Sequence, residues 1–169
     1  MERIIYVLRH GIAGPVPAGM SDSDRALTTE GKRRMEHVAA GLKRLGIAPD
    51  VILSSPLRRA QETAAIVASV LVHELAVETY DRLAPGHEAA EVLRGLLRYR
   101  SARHLMLVGH QPGLGQLISQ VLTGSPALLA LELKKGGAAA IAAAKIPPSS
   151  AGVLQWLLTA KQLRAVARR

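Results

Sequence analysis

Three short stretches each end an apolar run at serine, arginine, histidine or glycine, side chains and turns able to bind or attack an anion. The first is Arg9-His10-Gly11, at the end of the apolar run Ile4-Ile5-Tyr6-Val7-Leu8. The second is Ser54-Ser55-Pro56-Leu57-Arg58-Arg59-Ala60, which follows Val51-Ile52-Leu53. The third is Gly109-His110-Gln111-Pro112-Gly113, which follows Leu105-Met106-Leu107-Val108. Arginine's planar fork matches phosphate oxygens two at a time. Either Arg58 or Arg59 could add a second fork to that of Arg9. A neutral histidine with one ring N–H held and the other nitrogen free can attack phosphorus. A backbone carbonyl in the Gly11 turn is placed to hold that N–H on His10. The product would be a phosphohistidine on the protein itself, opened later by water. The second histidine, His110, could donate a hydrogen bond to the phosphoryl oxygens as charge shifts in the transition state. Taken alone, Arg9 and His10 read equally well as polar residues at a strand end. The recurrence of the pattern is what points to a site.

The elements around these stretches must bring them together. The three apolar runs have the length of buried strands, and two are plainly followed by helices. In an α/β sheet the carboxyl ends of parallel strands share one edge, and ligands bind in the crevice there. His10 and His110 can therefore meet across a large sequence separation. Helices that start after Ser55 and after His110 would also point free N–H groups at that crevice. We expect Ser55 to cap the first of these helices, with Pro56 at its first position. Thr28 or Thr29 caps an earlier helix, whose buried face carries Met35, Val38, Ala39, Leu42 and Leu45 and which stops at Gly46. Ala60, Ala64, Val67 and Leu71 give the buried face of the helix after the second stretch. A third strand is expected within His73 to Thr79, and a helix with Ala89, Val92, Leu93, Leu96 and Leu97 on its inner face. Leu129 to Leu133, Ala138 to Ala144 and Gly152 to Leu158 read as three further strands. The middle one is poor in strand formers, but its flanking turns favour a hairpin. Lys161 to Arg168 reads as a short basic helix or tail.

Composition narrows the classes. With 169 residues, one domain over 1–169 is expected, large enough for a sizeable core. The apolar fraction is 49%, yet there is no Phe, one Trp and three Tyr, so aliphatic side chains must build that core. There is no Cys, which excludes disulfides, thiolate metal sites and a thiol nucleophile. No Asp cluster or paired-His spacing suggests a metal, and no cofactor is expected. The net charge of +9 suits a phosphorylated partner. Nucleic acid is not expected, because stacking aromatics are nearly absent. No leader or span of about 20 apolar residues is visible, so a cytoplasmic protein acting as a monomer, with no membrane partner, is expected.

Leu8-Arg9-His10-Gly11 resembles the signature of the histidine phosphatase superfamily. Ser55-Pro56-Leu57-Arg58-Arg59-Ala60-Gln61-Glu62-Thr63-Ala64 resembles its second motif, and Val108-Gly109-His110 its third. Ser21-Asp22-Ser23-Asp24-Arg25-Ala26-Leu27-Thr28 and Trp156-Leu157-Leu158 further resemble the small SixA-type phosphohistidine phosphatases. The resemblance implies a phosphoglycerate mutase-like, three-layer α/β fold, with a mainly parallel sheet and helices on both faces. It implies His10 as nucleophile, with Arg9, Arg59, His110, Gly11 and Arg25 around the phosphate. It selects Arg59, the residue just before Ala60, while Arg58 sits about 100° away on a helix and faces solvent or the rim. Larger relatives carry a general acid in an insertion that this chain lacks. Asp22 matches the SixA-type position considered for that role, and equally reads as a loop-capping carboxylate. Arg25 could stand near the pocket or pair with Asp22 or Asp24. The short loops imply an open site suited to a phosphorylated protein, with a small phosphate ester or a non-catalytic phosphate-binding module as alternatives. His37, His73, His87 and His104 read as structural or exposed.

Overall fold

The computed structural model describes residues 2–72 and 75–168. The strands are β1 (Arg3–Arg9), β2 (Val51–Ser54), β3 (Val77–Thr79), β4 (His104–Gly109), β5 (Ala138–Ala143) and β6 (Val153–Leu158). The helices are α1 (Thr29–Arg44), α2 (Arg58–Leu71), α3 (Ala89–Gly95), α4 (Gly113–Thr123) and α5 (Ala160–Ala167). They form one six-stranded sheet in the order β3-β2-β4-β1-β5-β6. The β3/β2, β2/β4 and β4/β1 pairs are parallel, while β1/β5 and β5/β6 are antiparallel. His73, named above with a possible strand, lies outside the described residues.

The uniform apolar runs of β1 and β4 hide a period of two, because both sheet faces are covered. Ile5, Val7, Leu105 and Leu107 belong to a core with α3 and α4 residues such as Val92, Leu114 and Ile118. Tyr6, Leu8, Met106 and Val108 belong to a second core with α1, α2 and α5 residues such as Val38, Val67 and Leu163. The chain is thus a three-layer α/β protein with helices on both faces of its sheet. Register puts Arg9 opposite Gly109 and Ser54 opposite Val108. The three chemical stretches therefore leave the sheet side by side.

The alanine strand has a physical reason. In the ladder Tyr6 pairs with Ala140 and Ala140 with Trp156. The methyl group between them leaves room for the two rings to approach to 6.3 Å between centroids. A larger side chain would separate them, so packing overrides alanine's low strand propensity.

Four expectations need correction. Leu129 to Leu133 is not a strand; it is an irregular strap, two of whose carbonyls go to side chains. The Leu133 carbonyl accepts from Arg9 Nη1 at 2.7 Å, and the Leu131 carbonyl from Gln111 Nε2 at 3.1 Å. Second, α2 starts at Arg58 with Leu57 as its N-cap, so Ser55 and Pro56 lie before the helix. Third, Leu97 is 59% exposed, because α3 tightens into a 3-10 turn at Leu96–Tyr99 and changes the period of its inner face. Fourth, Leu45 is exposed because it is the C-cap of α1 rather than part of its last turn. Thr28 is the N-cap of α1, its Oγ1 accepting from the Gly31 N–H at 2.9 Å. The basic C-terminal segment is a docked helix, with Leu163 of α5 fully buried against α1.

Candidate active site

His10 is the first residue beyond β1. Its N–H donates to the Gly109 carbonyl, and its own carbonyl accepts from the Gly136 N–H, so its backbone is fixed from both sides. The side chain is fixed as well. Nδ1 lies 2.7 Å from the Gly11 carbonyl oxygen, which can only accept. Nδ1 therefore carries the proton, and in the neutral ring Nε2 keeps its lone pair. Among the described residues Nε2 makes no hydrogen bond. Burial pushes the His10 pKa down to about 4, aided by the charges of Arg59, Arg9 and Lys135, while the bond to Gly11 opposes them. The ring is thus neutral at neutral pH and ready to act as a nucleophile.

Gly11 packs closely against α1. A Cβ there would lie 2.7 Å from Met35 Cγ of α1. The Gly11 N–H donates to Thr63 Oγ1 at 3.1 Å, and that hydroxyl donates to the Arg59 carbonyl at 2.7 Å. This ties the turn after β1 to the first turns of α2. The Gly11 amide is thereby committed to Thr63.

His110 follows β4, and its ring centroid lies 5.0 Å from that of His10. Its Nε2 stands 2.8 Å from Ser55 Oγ. Burial, together with the neighbouring His10 and Arg59, pushes its pKa down to about 3. Among the described residues, the buried side-chain nitrogen and oxygen atoms without a partner are His110 Nδ1 and Arg9 Nε. An unmade bond of this kind costs about 1–3 kcal/mol, and both belong to the cluster around His10. Arg9 also reaches the strap through Nη1, with the Glu132 carboxylate 3.8 Å away.

Arg59 is the buried arginine of the second stretch, 6% exposed, and its fork is occupied by one residue. Nη1 donates to the Asp22 carbonyl at 2.8 Å, and Nη2 to the Asp22 carboxylate at 2.9 Å. Arg25 Nη1 donates to the same carboxylate at 3.0 Å, which resolves its partner as Asp22. Hydrogen bonds from Arg25 and Arg59 hold the Asp22 carboxyl below the usual carboxylate range. Asp22 is ionised here and acts only as an acceptor. Arg58 is exposed and pairs with Glu62 at 3.2 Å. Glu62 also accepts the Leu27 N–H at 2.7 Å, anchoring the end of the loop that carries Asp22 and Arg25.

The free N–H groups expected from α4 are partly spent, since the Gly115 amide donates to Gln111 Oε1 at 2.9 Å. Beside His110 opens a cleft of about 260 Å³, with Leu83, Pro85, Val92, Leu114 and Leu117 among its lining residues. Among the described residues no group of three or more His, Asp and Glu side chains could hold a metal ion. No described helix is long and apolar enough to cross a membrane. Two features escaped sequence reasoning: Ser55 as the partner of His110, and Asp22 as the clamp of Arg59. Both contacts span long sequence separations and leave no periodic signal.

Two neighbouring imidazoles, one with a free ring nitrogen, set beside two arginines at the carboxyl edge of an α/β sheet define a phosphoryl-transfer protein of the histidine-nucleophile class. The description "Histidine phosphatase superfamily (branch 1)" matches residues 5–85, and the chain belongs to that superfamily. It is therefore a phosphatase that works through a histidine nucleophile. An uncharacterized protein of Picosynechococcus sp. is 39% identical over 137 residues, covering 79% of this chain and 81% of its own. The phosphohistidine phosphatase SixA of Escherichia coli K12 is 26% identical over 163 residues, covering 95% of this chain and 96% of its own. Among solved structures, the protein histidine phosphatase SixA complexed with tungstate superposes with a TM-score of 0.82 at 24% identity, covering 95% of this chain and 99% of that one.

Proposed function

We propose that this chain, acting as one unit over 1–169, removes the phosphoryl group from phosphohistidine on a protein substrate. The observation that carries the reading is the state of the site: His10 offers a fixed, neutral Nε2, while beside it Arg9 Nε and His110 Nδ1 are buried without partners among the described residues. A phosphoryl group supplies an acceptor for Arg9 Nε, and one for His110 when its Nδ1 carries the ring proton.

In the first step the His10 Nε2 lone pair attacks phosphorus, and the bond from phosphorus to the substrate nitrogen breaks. Arg9, Arg59 and His110 stabilise the charge on the equatorial oxygens. The Gly11 carbonyl accepts from Nδ1–H throughout and steadies the positive charge that the His10 ring acquires. In the second step water attacks phosphorus, the bond to His10 breaks, and inorganic phosphate leaves.

The state of Asp22 supports a phosphohistidine substrate. An ionised carboxylate shared by two arginines has no proton to give to an alkoxide. A phosphoimidazole protonated on its other ring nitrogen releases neutral imidazole when the bond to phosphorus breaks, so it needs no such donor. The name of the 26% identical relative agrees with this reading. The test is a rate comparison on phosphohistidine carrier proteins, phosphoserine peptides and sugar phosphates. Preference for the carrier proteins is expected. Fast turnover of small esters with none on phosphohistidine would overturn the substrate assignment.

A further inference from the structure

We infer that Ser55 is a positioning residue: its hydroxyl donates to His110 Nε2 and thereby forces the His110 proton onto Nδ1, the atom that then serves the phosphoryl oxygens.

Ser55 is fully buried, and Oγ has two neighbours among the described residues. The Leu57 N–H donates to it at 3.3 Å, so Oγ is an acceptor there. His110 Nε2, at 2.8 Å, is the other neighbour. The hydroxyl hydrogen must go somewhere, and His110 Nε2 is the acceptor available to it. If Nε2 were instead the donor, Oγ would accept twice and its own O–H would be left buried and unmade. His110 Nδ1, buried and without a partner, would then be a bare lone pair. Two buried groups would be unsatisfied. With the serine as donor only Nδ1–H is unsatisfied, and it is a donor beside the nucleophile. A bare lone pair there would repel phosphoryl oxygens, whereas an N–H binds them.

The same logic appears twice in the site with different donors and acceptors. At His10 a carbonyl forces the proton onto the bonded nitrogen and frees the other as a lone pair. At His110 a hydroxyl forces the proton onto the unbonded nitrogen. Two neutral imidazoles 5.0 Å apart thus receive opposite roles from their backing groups. The low pKa of His110 fits, since the ring must be neutral for its tautomer to matter.

The functional consequence rests on the phosphatase reading, but the tautomer does not, and the two are tested separately. Ring nitrogen-15 spectra of the free protein at pH 7, with His110 assigned by its absence in His110→Asn, should show Nδ1 protonated and Nε2 accepting. In Ser55→Ala that pattern should shift toward Nε2–H, while the His10 signals stay in place. Turnover of Ser55→Ala should fall roughly tenfold to a hundredfold in kcat with a smaller change in KM. Ser55→Thr, which keeps the hydroxyl, should retain the Nδ1–H pattern. A wild-type spectrum with Nε2 protonated overturns the inference. So does a Ser55→Ala protein whose His110 pattern and kcat match the wild type. If the wild type turns over no phosphoryl compound, the functional reading fails while the spectrum still decides the tautomer.

Discussion

Arg59 donates with both ends of its fork to Asp22, at 2.8 Å to the main-chain carbonyl and 2.9 Å to the carboxylate. The clamp orients a buried guanidinium that would otherwise lack partners, and it keeps Asp22 ionised. Replacing Arg59 by Lys keeps the charge and loses the fork. We expect kcat/KM to fall by roughly 10²- to 10³-fold, measured by steady-state turnover of a phosphohistidine protein.

Asp22→Asn separates clamp from acid. A clamp predicts a loss of about tenfold or less that is the same for every leaving group. A proton donor predicts a loss that grows with the leaving group's pKa. A series of substituted aryl and alkyl phosphates read for kcat distinguishes the two slopes.

Two buried, neutral histidines also set a pH dependence of stability. Their pKa values, about 4 and about 3, lie below the unfolded value near 6.5. Between those values the unfolded chain binds more protons than the folded one, so stability rises with pH there. Acidification from about pH 6.5 toward 4 should therefore weaken the fold, by about 1.4 kcal/mol per pH unit for one such group. The rings are neighbours, so the effects do not simply add. Urea melts at pH 7 and pH 5 should show the loss, and His10→Gln should flatten it.

The C-terminal helix is held by a close backbone approach. A Cβ on Gly41 would lie 2.0 Å from the Leu163 carbonyl oxygen. Gly41→Ala should push α5 off α1 and lower stability by about 1–3 kcal/mol, read as the midpoint of a denaturant melt.

The strands that carry chemistry were legible because burial on both faces makes them uniformly apolar, and because each ends at a cation or an imidazole. Arg59 was legible over Arg58 from helix geometry and the family motif, and the structure buries the first and exposes the second. The strap at 129–133 reads as a strand from sequence, since an apolar run says nothing about where its carbonyls go. Here Arg9 and Gln111 side chains take them. Ser55 was read as a helix cap because serine before proline commonly is one. Its contact with His110, 55 positions away, depends on β2 and β4 lying side by side. Long-range polar pairs of this kind follow from topology, which a local pattern cannot encode.

In the proposed mechanism His10 Nε2 bonds covalently to phosphorus during turnover. The direct measurement is a rapid quench into alkali, where phosphohistidine survives, followed by mass-spectrometric mapping of the phosphorylated peptide. Phosphate is expected on His10 in the wild type, with neither phosphoenzyme nor turnover in a folded His10→Ala protein. Phosphate on another residue, or turnover that persists in His10→Ala, would contradict it.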